Sequence, residues 1–225
     1  VDFDPEVTQQ TYKSGAVMMD RNLGATSVIS AYQGVETTDY SAYGLYYQWG
    51  RKDPFPYLGS IMPLSAVQTE DYCDTVEGSY KNPTTVYVSP VWLDDTMWQS
   101  SKTMYDPCPT GWRVPDPSAW DGWDNEMTNY WDNYKMVQTP YSTPTAYYPY
   151  ADRVEGWNTW PSALSESVFV WSVDRTENLY AHGSWGWFSN NDDTRDESRM
   201  PVRCMKEQDV ESGDNEGYTG SDYEW

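Results

Sequence analysis

Histidine and cysteine are scarce in this sequence, and their scarcity excludes several kinds of catalytic and metal site. The 225 residues include one histidine, His182, and three cysteines, Cys73, Cys108 and Cys204. A metal site with two imidazole ligands is therefore excluded, and a histidine-based catalytic triad has a single available base. The cysteines form no Cys-x-x-Cys pair, so neither a zinc site of that type nor a dithiol redox centre is expected.

Positive charge and long apolar runs are lacking as well. Lys and Arg together number 14 against 35 Asp and Glu, which gives a formal net charge of −21. Since proteins bind phosphate backbones mainly through cationic side chains, nucleic acid and anionic membrane surfaces are not expected partners. No apolar stretch approaches the roughly 20 residues that a membrane-spanning helix needs. Residues 1–10 lack the basic start and apolar run of a signal peptide.

The chain is instead rich in tyrosine and tryptophan, with 20 and 13 residues respectively. These side chains join a large apolar ring to one polar group, and they are enriched at recognition surfaces. The alternative is that the rings fill space between irregular loops. Gly, Pro, Asn or Asp occurs in nearly every short window of the sequence, which predicts short strands joined by long loops.

The local patterns predict six strands, one helix and one loop with exposed rings. A helix is predicted to begin at Asp116, which can cap the free amides, with Pro117 at the first helical position, and to end before Pro140. Residues 141–150, YSTPTAYYPY, are expected to form a loop with exposed rings, because proline removes strand hydrogen-bond donors. Strands are predicted at residues 16–20, 43–49, 85–88, 167–173, 185–188 and 200–205.

Four sequence blocks occur in an order that resembles a known family. They are AVMMDRNLGATS at 16–27, YGLYYQWGRKDPFP at 43–56, MYDPCPTGWRVPDPSAW at 104–120 and PVRCMK at 201–206. Together they resemble the Fibrobacter succinogenes major paralogous domain, which is widespread in Bacteroidetes surface lipoproteins and fimbrial tip proteins. The third block and the closing VRC are also similar to formylglycine-generating-enzyme-like proteins. Both families have a C-type-lectin-like fold.

The resemblance implies a fold and an arrangement of the chain. It implies an α+β, C-type-lectin-like domain over residues 16–206, with a twisted antiparallel sheet, one or two helices and long loops. Residues 1–15 are then a lead-in. Residues 207–225 lie outside the resemblance, and their composition, rich in Gly, Ser, Asp and Glu, predicts a disordered acidic tail or linker. The resemblance also implies extracellular, cell-surface localisation. It places the start of the helix beside the terminal strand, which implies a disulfide between Cys108 and Cys204 and leaves Cys73 as a free thiol.

Catalysis is not expected from the chemistry of the candidate residues. Neither Cys108 nor Cys204 has a second cysteine or a histidine nearby in sequence to activate it. Trp112 and Trp120 are expected to be core rings. A weakly held calcium ion is the one cofactor left open, because hard oxygen ligands cluster at Asn190, Asn191, Asp192, Asp193, Asp196 and Glu197. The alternative is that these residues form a solvated acidic loop.

Residues 173–199 are the predicted binding region, because they combine amphipathic rings with short polar side chains. Trp185 and Trp187 lie two residues apart, so in a strand both are buried or both are exposed. The predicted ligand-binding residues are Tyr180, Trp185, Trp187, Asn190, Asn191, Asp193 and Arg195, with Tyr147 and Tyr148 as rim contacts.

The leading functional hypothesis is an extracellular adhesin-like domain of a bacterial surface or fimbrial tip protein. Its expected partner is a host or neighbouring-cell protein or glycan, and other fimbrial subunits are further candidate partners. One alternative is a structural subunit of a surface assembly without its own ligand. Another is a divergent enzyme of the formylglycine-generating-enzyme-like class.

Overall fold

The computed structural model of the chain describes residues 8–28, 40–55, 96–123, 128–130, 136–139, 142–154, 167–182, 187–189 and 198–208. For residues 40, 128–130, 136–139, 182 and 187–189 it describes the backbone only. Within these ranges the helical segments are two 3-10 turns, Tyr40–Ala42 and Pro117–Trp120. The strands are β1 Gln9–Tyr12, β2 Val17–Met19, β3 Tyr46–Gln48, β4 Trp112–Arg113, β5 Thr128–Tyr130, β6 Met136–Thr139, β7 Ser142–Thr143, β8 Ala146–Pro149, β9 Ser167–Val170, β10 Leu179–His182, β11 Trp187–Ser189, β12 Arg199–Pro201 and β13 Met205–Lys206.

The described strands form four antiparallel sheets. The largest has the order β4-β13-β2-β1-β7, and the others are β5-β6-β8, β11-β10-β9 and β12-β3. Strand β13 therefore lies between β2, from the start of the chain, and β4, with Met205 opposite both Met18 and Arg113. The described chain is a small β-rich fold in which sequence-distant segments are neighbours.

A tight turn between β1 and β2 shows how local chemistry sets the strand ends. The amide of Gly15 donates to the carbonyl of Tyr12, and the amide of Tyr12 donates to the carbonyl of Ala16, both at 2.8 Å. Gly15 has a φ of 90°, a left-handed conformation that side-chain-bearing residues rarely adopt. The turn between β1 and β2 therefore uses glycine at the position where a side chain would be strained.

The segment 201–204 fastens several parts of the fold together. Its carbonyls accept hydrogen bonds from Trp171 at 3.0 Å, Leu23 at 2.7 Å and Met19 at 2.9 Å. A disulfide joins Cys108 to Cys204 across a sequence separation of 96 residues, with a Cα to Cα distance of 5.9 Å. The expected pairing is confirmed, while Cys73 lies outside the described residues.

The buried aromatic rings form two main core clusters. Trp112 belongs to the first, with Trp49, Trp98 and Trp171, and Trp120 belongs to the second. Trp112 is 6% exposed and Trp120 is 1% exposed, so the expectation that both are core rings is confirmed. Each such ring removes roughly 150–250 Å² of surface from water, which makes these clusters the main apolar contribution to folding.

The prediction of a long helix after Asp116 is wrong, because the helical segment is much shorter. The helical segment ends at Trp120 after one 3-10 turn, and Gly122 follows with a φ of 77°. The carboxylate of Asp116 does not cap this turn. It accepts hydrogen bonds from Arg113 and, at 2.5 Å, from the Ser100 hydroxyl. The antiparallel sheet expected of an α+β fold is thus present, whereas the long helix is replaced by strands β5 and β6.

The expected loop at residues 141–150 is also a correction, because this segment forms β7 and β8. Strand β8 lies at the edge of the sheet β5-β6-β8 and ends at Pro149, and an edge strand is where a sheet tolerates proline. The rings of Tyr148 and Tyr150 are 1% and 0% exposed. Tyr148 and Tyr150 therefore contribute to the core instead of forming an exposed loop.

The other predicted strands were located well but bounded too generously. Strands β2, β3 and β9 lie within the predicted ranges, and β11 overlaps the range 185–188. The range 200–205 contains the end of β12 and the start of β13. Between these strands the carbonyls of Val202 and Cys204 accept hydrogen bonds from the amides of Leu23 and Met19. The range 85–88 lies outside the described residues.

Buried tyrosines should make the fold sensitive to alkali. Burial raises the pKa of Tyr12, Tyr47 and Tyr150, the last to about 12. The folded chain then keeps protons that the unfolded chain loses near its ordinary tyrosine pKa of about 10, so each ring lowers the free energy of unfolding by roughly 1.4 kcal/mol per pH unit in that window. Burial lowers the pKa of Arg199 to about 10. Above that pH the unfolded chain holds the arginine proton and the folded chain does not, so Arg199 raises the free energy of unfolding with pH and cancels the effect of one tyrosine.

With three groups against one, we expect the free energy of unfolding to fall by roughly 3 kcal/mol per pH unit between about pH 10 and about pH 12. Denaturant unfolding at a series of pH values measures this slope. Tyr150→Phe is the matched control, because the buried Tyr150 hydroxyl has no hydrogen-bond partner within the described residues. The variant should keep wild-type stability at neutral pH and lose about half of the slope, because two tyrosines against one arginine leave roughly 1.4 kcal/mol per pH unit. A stability that is flat or rising above about pH 10 contradicts the argument.

Candidate functional site

Tyr180 is the one residue of the predicted 173–199 binding set whose side chain is described. It lies in β10, is half-buried, and stacks on Phe169 of β9 with the ring centroids 4.7 Å apart. Trp187 lies in β11, where its backbone pairs with His182. The predicted binding residues Trp185, Asn190, Asn191, Asp193 and Arg195 lie outside the described residues, as do Asp192, Asp196 and Glu197 of the proposed calcium cluster.

Tyr148 is a core residue, so its prediction as a rim contact is wrong. Its hydroxyl shares a short hydrogen bond with the hydroxyl of Tyr12 and accepts another from Trp120 Nε1 at 3.3 Å. The guanidinium carbon of Arg203 lies 3.7 Å from the centroid of the Tyr148 ring. Tyr147, the other predicted rim residue, is half-buried and accepts a hydrogen bond through its carbonyl from Arg203 Nη2 at 3.0 Å. The two Arg203 contacts fix β8 against the segment 201–204.

An open cleft of about 570 Å³ lies beside the turn that follows β9. Its floor includes Trp49 and Trp98, whose ring centroids are 5.6 Å apart. Both indoles are buried, and their Nε1 atoms donate inward, Trp49 to the carbonyl of Ser172 at 3.2 Å and Trp98 to the carbonyl of Tyr105 at 3.0 Å. The two rings therefore contribute their edges to a fixed floor. The full lining is Trp49, Trp98, Gln99, Ser100, Val173, Asp174, Arg175 and Thr176.

One wall of the cleft is a turn held by its own hydrogen bonds. The carbonyls of Asp174 and Glu177, at 2.8 and 2.6 Å, share the one proton of the buried Ser172 hydroxyl, which also accepts from the amide of Asp174 at 2.9 Å. Asp174 Oδ1 accepts from the amide and the hydroxyl of Thr176, at 2.8 and 2.7 Å. The amide of Val173 donates to the carbonyl of Pro115 at 2.9 Å. The polar groups of this wall are thus held in place without a ligand.

The opposite wall, residues 98–100, is fixed to the block 104–120. The Ser100 hydroxyl donates to Asp116 Oδ1 at 2.5 Å. Nearby, Lys102 Nζ donates to the carbonyls of Cys108 and Trp112, at 2.6 and 2.8 Å, and to Asp106 Oδ1 at 3.1 Å. The disulfide between Cys108 and Cys204 and the Lys102 ammonium group therefore both stabilise the block 104–120, which supports this wall of the cleft.

The chemistry of the cleft is hydrogen bonding above a small apolar floor. Gln99, Ser100, Asp174 and Thr176 are exposed, and Val173 and Arg175 are half-buried. Within the described ranges, no three His, Cys, Asp or Glu side chains are grouped closely enough to hold a metal ion. A search of the same ranges finds no helix with the length and apolarity to cross a bilayer. The arrangement can therefore present donors and acceptors to a ligand at fixed positions.

The sequence contained signals for this cleft that the binding prediction did not use. Asp174 and Thr176 have the spacing of an Asx turn directly after a strand, which holds a carboxylate at a strand end. Gln99 and Ser100 follow Trp98, a polar pair next to a large ring. The assembly of these segments into one cleft depends on contacts between distant parts of the chain.

Comparison with known proteins gave no match to a protein-family model, to a curated protein or to a solved structure.

Proposed function

We propose that this chain is an extracellular ligand-binding domain of the adhesin type, with a C-type-lectin-like core, from a bacterial surface or fimbrial tip protein. Its ligand is a protein or glycan of a host or neighbouring cell. The disulfide between Cys108 and Cys204 supports export, because disulfides persist mainly in oxidising compartments. The disulfide between Cys204 of the VRC segment and Cys108 of the block 104–120, with the following Met205 paired to Arg113, supports the family resemblance.

The observation that carries the proposal is the cleft with preformed polar walls at the start of the 173–199 region. Its turn is hydrogen-bonded through Ser172 and Asp174, and its floor is held by Trp49 and Trp98. Binding at such a site requires little ordering of the protein, so more of the contact energy contributes to affinity. Loops on a rigid scaffold are the usual place for binding residues.

The carboxylates near the cleft take part in the hydrogen bonds of its walls. Asp174 Oδ1 accepts two hydrogen bonds within its own turn. Asp116 accepts hydrogen bonds from Ser100 and Arg113. Each of these carboxylates therefore uses at least one oxygen to hold a wall of the cleft in place.

The burial of most described rings favours a second candidate, a structural subunit of a surface assembly. Among the described side chains, the buried tyrosines and tryptophans are Tyr12, Tyr43, Tyr46, Tyr47, Tyr148, Tyr150, Trp49, Trp98, Trp112, Trp120, Trp123 and Trp171. Rings that pack inward stabilise the domain and contact no partner. The two candidates therefore differ in whether the rings of Trp185 and Trp187 face solvent.

An array of immobilised glycans and host extracellular proteins tests the proposal with matched tryptophan variants. The wild-type chain should bind at least one array component. Trp185→Ala and Trp187→Ala should each weaken that binding by about 2 kcal/mol, some thirtyfold, and leave the melting temperature nearly unchanged. Trp112→Ala is the control for a core ring, and it should lower the free energy of unfolding by about 3–5 kcal/mol.

Two outcomes would contradict the adhesin proposal. In the first, Trp185→Ala and Trp187→Ala destabilise the fold as severely as Trp112→Ala, which would make their face part of the core. In the second, no array component binds the folded wild-type chain. Either result would favour the structural subunit.

A further inference from the structure

We propose that the cleft over Trp49 and Trp98 is a binding site for a short neutral saccharide, recognised by direct hydrogen bonds from residues 99–100 and 174–176. The inference rests on the proposed ligand-binding function and specifies its site and ligand class. Residues 173–176 of the cleft begin the predicted binding region 173–199, but none of the cleft residues is among the individual ligand-binding residues that the sequence pattern selected. The argument depends on the size, the lining and the charge of the cleft.

The size of the cleft suits a small ligand better than a protein surface. Its volume of about 570 Å³ falls within the roughly 300–1,000 Å³ of small-molecule sites. A stable protein interface needs roughly 800 Å² from each partner, and the cleft walls are eight residues. A short oligosaccharide occupies such a volume while part of it stays in water.

The lining of the cleft matches a ligand that has both hydroxyl groups and a C–H surface. The apolar contribution comes from Val173 and from the edges of Trp49 and Trp98. The polar contribution comes from exposed amide, hydroxyl and carboxylate groups at the rim. A carboxylate accepts hydrogen bonds from two hydroxyls at once, and an amide both donates and accepts. Sugar rings present these partners side by side.

Two polar groups of the rim are available for a ligand. Asp174 uses Oδ1 for Thr176, and its Oδ2 makes no hydrogen bond to any described residue. The amide of Gln99 likewise makes no hydrogen bond within the described part of the chain, and its side chain is exposed. Since the turn already fixes Asp174, its free oxygen is held where a ligand hydroxyl can reach it.

The charge of the chain selects against acidic sugars. The net charge is −21, and the cleft lining includes one carboxylate, Asp174, and one cation, Arg175. A chain of this charge repels sialylated or sulfated ligands at long range. A neutral saccharide has no such repulsion. Calcium takes six to eight oxygen ligands, and the cleft lining supplies one carboxylate, Asp174. The proposed contacts to the saccharide are therefore direct hydrogen bonds and need no calcium ion.

Calorimetric titration of the full chain with maltose, cellobiose, lactose and mannobiose tests the inference. Sialyllactose and a sulfated heparin disaccharide serve as anionic probes. We expect at least one neutral disaccharide to bind, with an affinity that a calcium chelator does not change. Asp174→Asn keeps the Oδ1 acceptor for Thr176 and removes the charge, and Gln99→Trp fills the cleft from an exposed position. Each should weaken binding by about tenfold or more.

The control is Asp121→Asn, which removes the same charge from an exposed residue outside the cleft lining. It should bind as the wild type does, and all three variants should melt at the wild-type temperature. The inference is overturned if no neutral disaccharide binds, if only anionic probes bind, or if Gln99→Trp binds normally. Array binding that is lost in Trp187→Ala but kept in Gln99→Trp would overturn the cleft site and leave the adhesin proposal standing.

Discussion

Replacing Asp106 with alanine is expected to lower the free energy of unfolding by about 3–5 kcal/mol, because three donors lose a buried acceptor. Asp106 Oδ1 accepts from the amide of Cys108 at 2.8 Å and from Lys102 Nζ at 3.1 Å, and Oδ2 accepts from the amide of Val114 at 2.8 Å. The Asp106 side chain is 0% exposed. Two backbone amides then lose their buried acceptor, and the Lys102 ammonium group keeps only the carbonyls of Cys108 and Trp112. Chemical denaturation at neutral pH measures the loss.

Asp106→Asn and Lys102→Met separate the parts of this effect. Asn keeps the Oδ1 acceptor but loses the charge and the second acceptor, so its cost should lie between zero and that of alanine. Lys102→Met removes the ammonium group, and its combination with Asp106→Ala should cost less than the sum of the two single changes. A loss below about 1 kcal/mol for Asp106→Ala would show that the loop 106–114 is held by other contacts.

The second large effect is expected from the double change Cys108→Ala and Cys204→Ala. The bridge spans 96 residues, and a loop of this length restricts the unfolded chain by about 4–5 kcal/mol on the loop-entropy model. Both cysteines are buried among core side chains, so the alanines also leave small voids. We expect a loss of at least about 4 kcal/mol in guanidinium unfolding, together with a larger denaturant slope because the unfolded chain expands.

Thiol labelling of the denatured, non-reduced chain gives an independent check on the bridge. Of the three cysteines, Cys73 is the predicted free thiol, so labelling should modify Cys73 and leave Cys108 and Cys204 unmodified until a reductant is added. Cys73→Ala is the matched control for removing a cysteine, and it should cost far less than the double change. Equal stability of the double variant and the wild type would contradict the predicted role of the bridge.

These two effects concern the same block, residues 104–120, which supports one wall of the cleft. Ser100 is bonded to Asp116, and Pro115 accepts the hydrogen bond from Val173 on the other wall. The block therefore touches both sides of the candidate site without lining it. Loosening it should alter the cleft geometry as well as the stability of the fold.

Some features were determined by the sequence alone because their causes are local or involve few choices. Strands β2, β3 and β9 follow from short runs of branched and aromatic residues between turn residues. Trp112 and Trp120 are in the core, as expected of large rings around a proline-rich extended segment. The three cysteines of the chain allow three possible disulfides, and the family resemblance selected the pair Cys108 and Cys204.

Other features were decided only by the tertiary structure, because they depend on partners far away in the sequence. Asp116 had the local pattern of a helix cap, but its carboxylate bonds to Arg113 and to Ser100, and the helix stops after one turn. Tyr148 looked exposed beside two prolines, yet its hydroxyl meets that of Tyr12, 136 residues away. The cleft needs three separate segments, at Trp49, at 98–100 and at 173–176. Local patterns describe the propensity of each segment, whereas packing determines which segments meet.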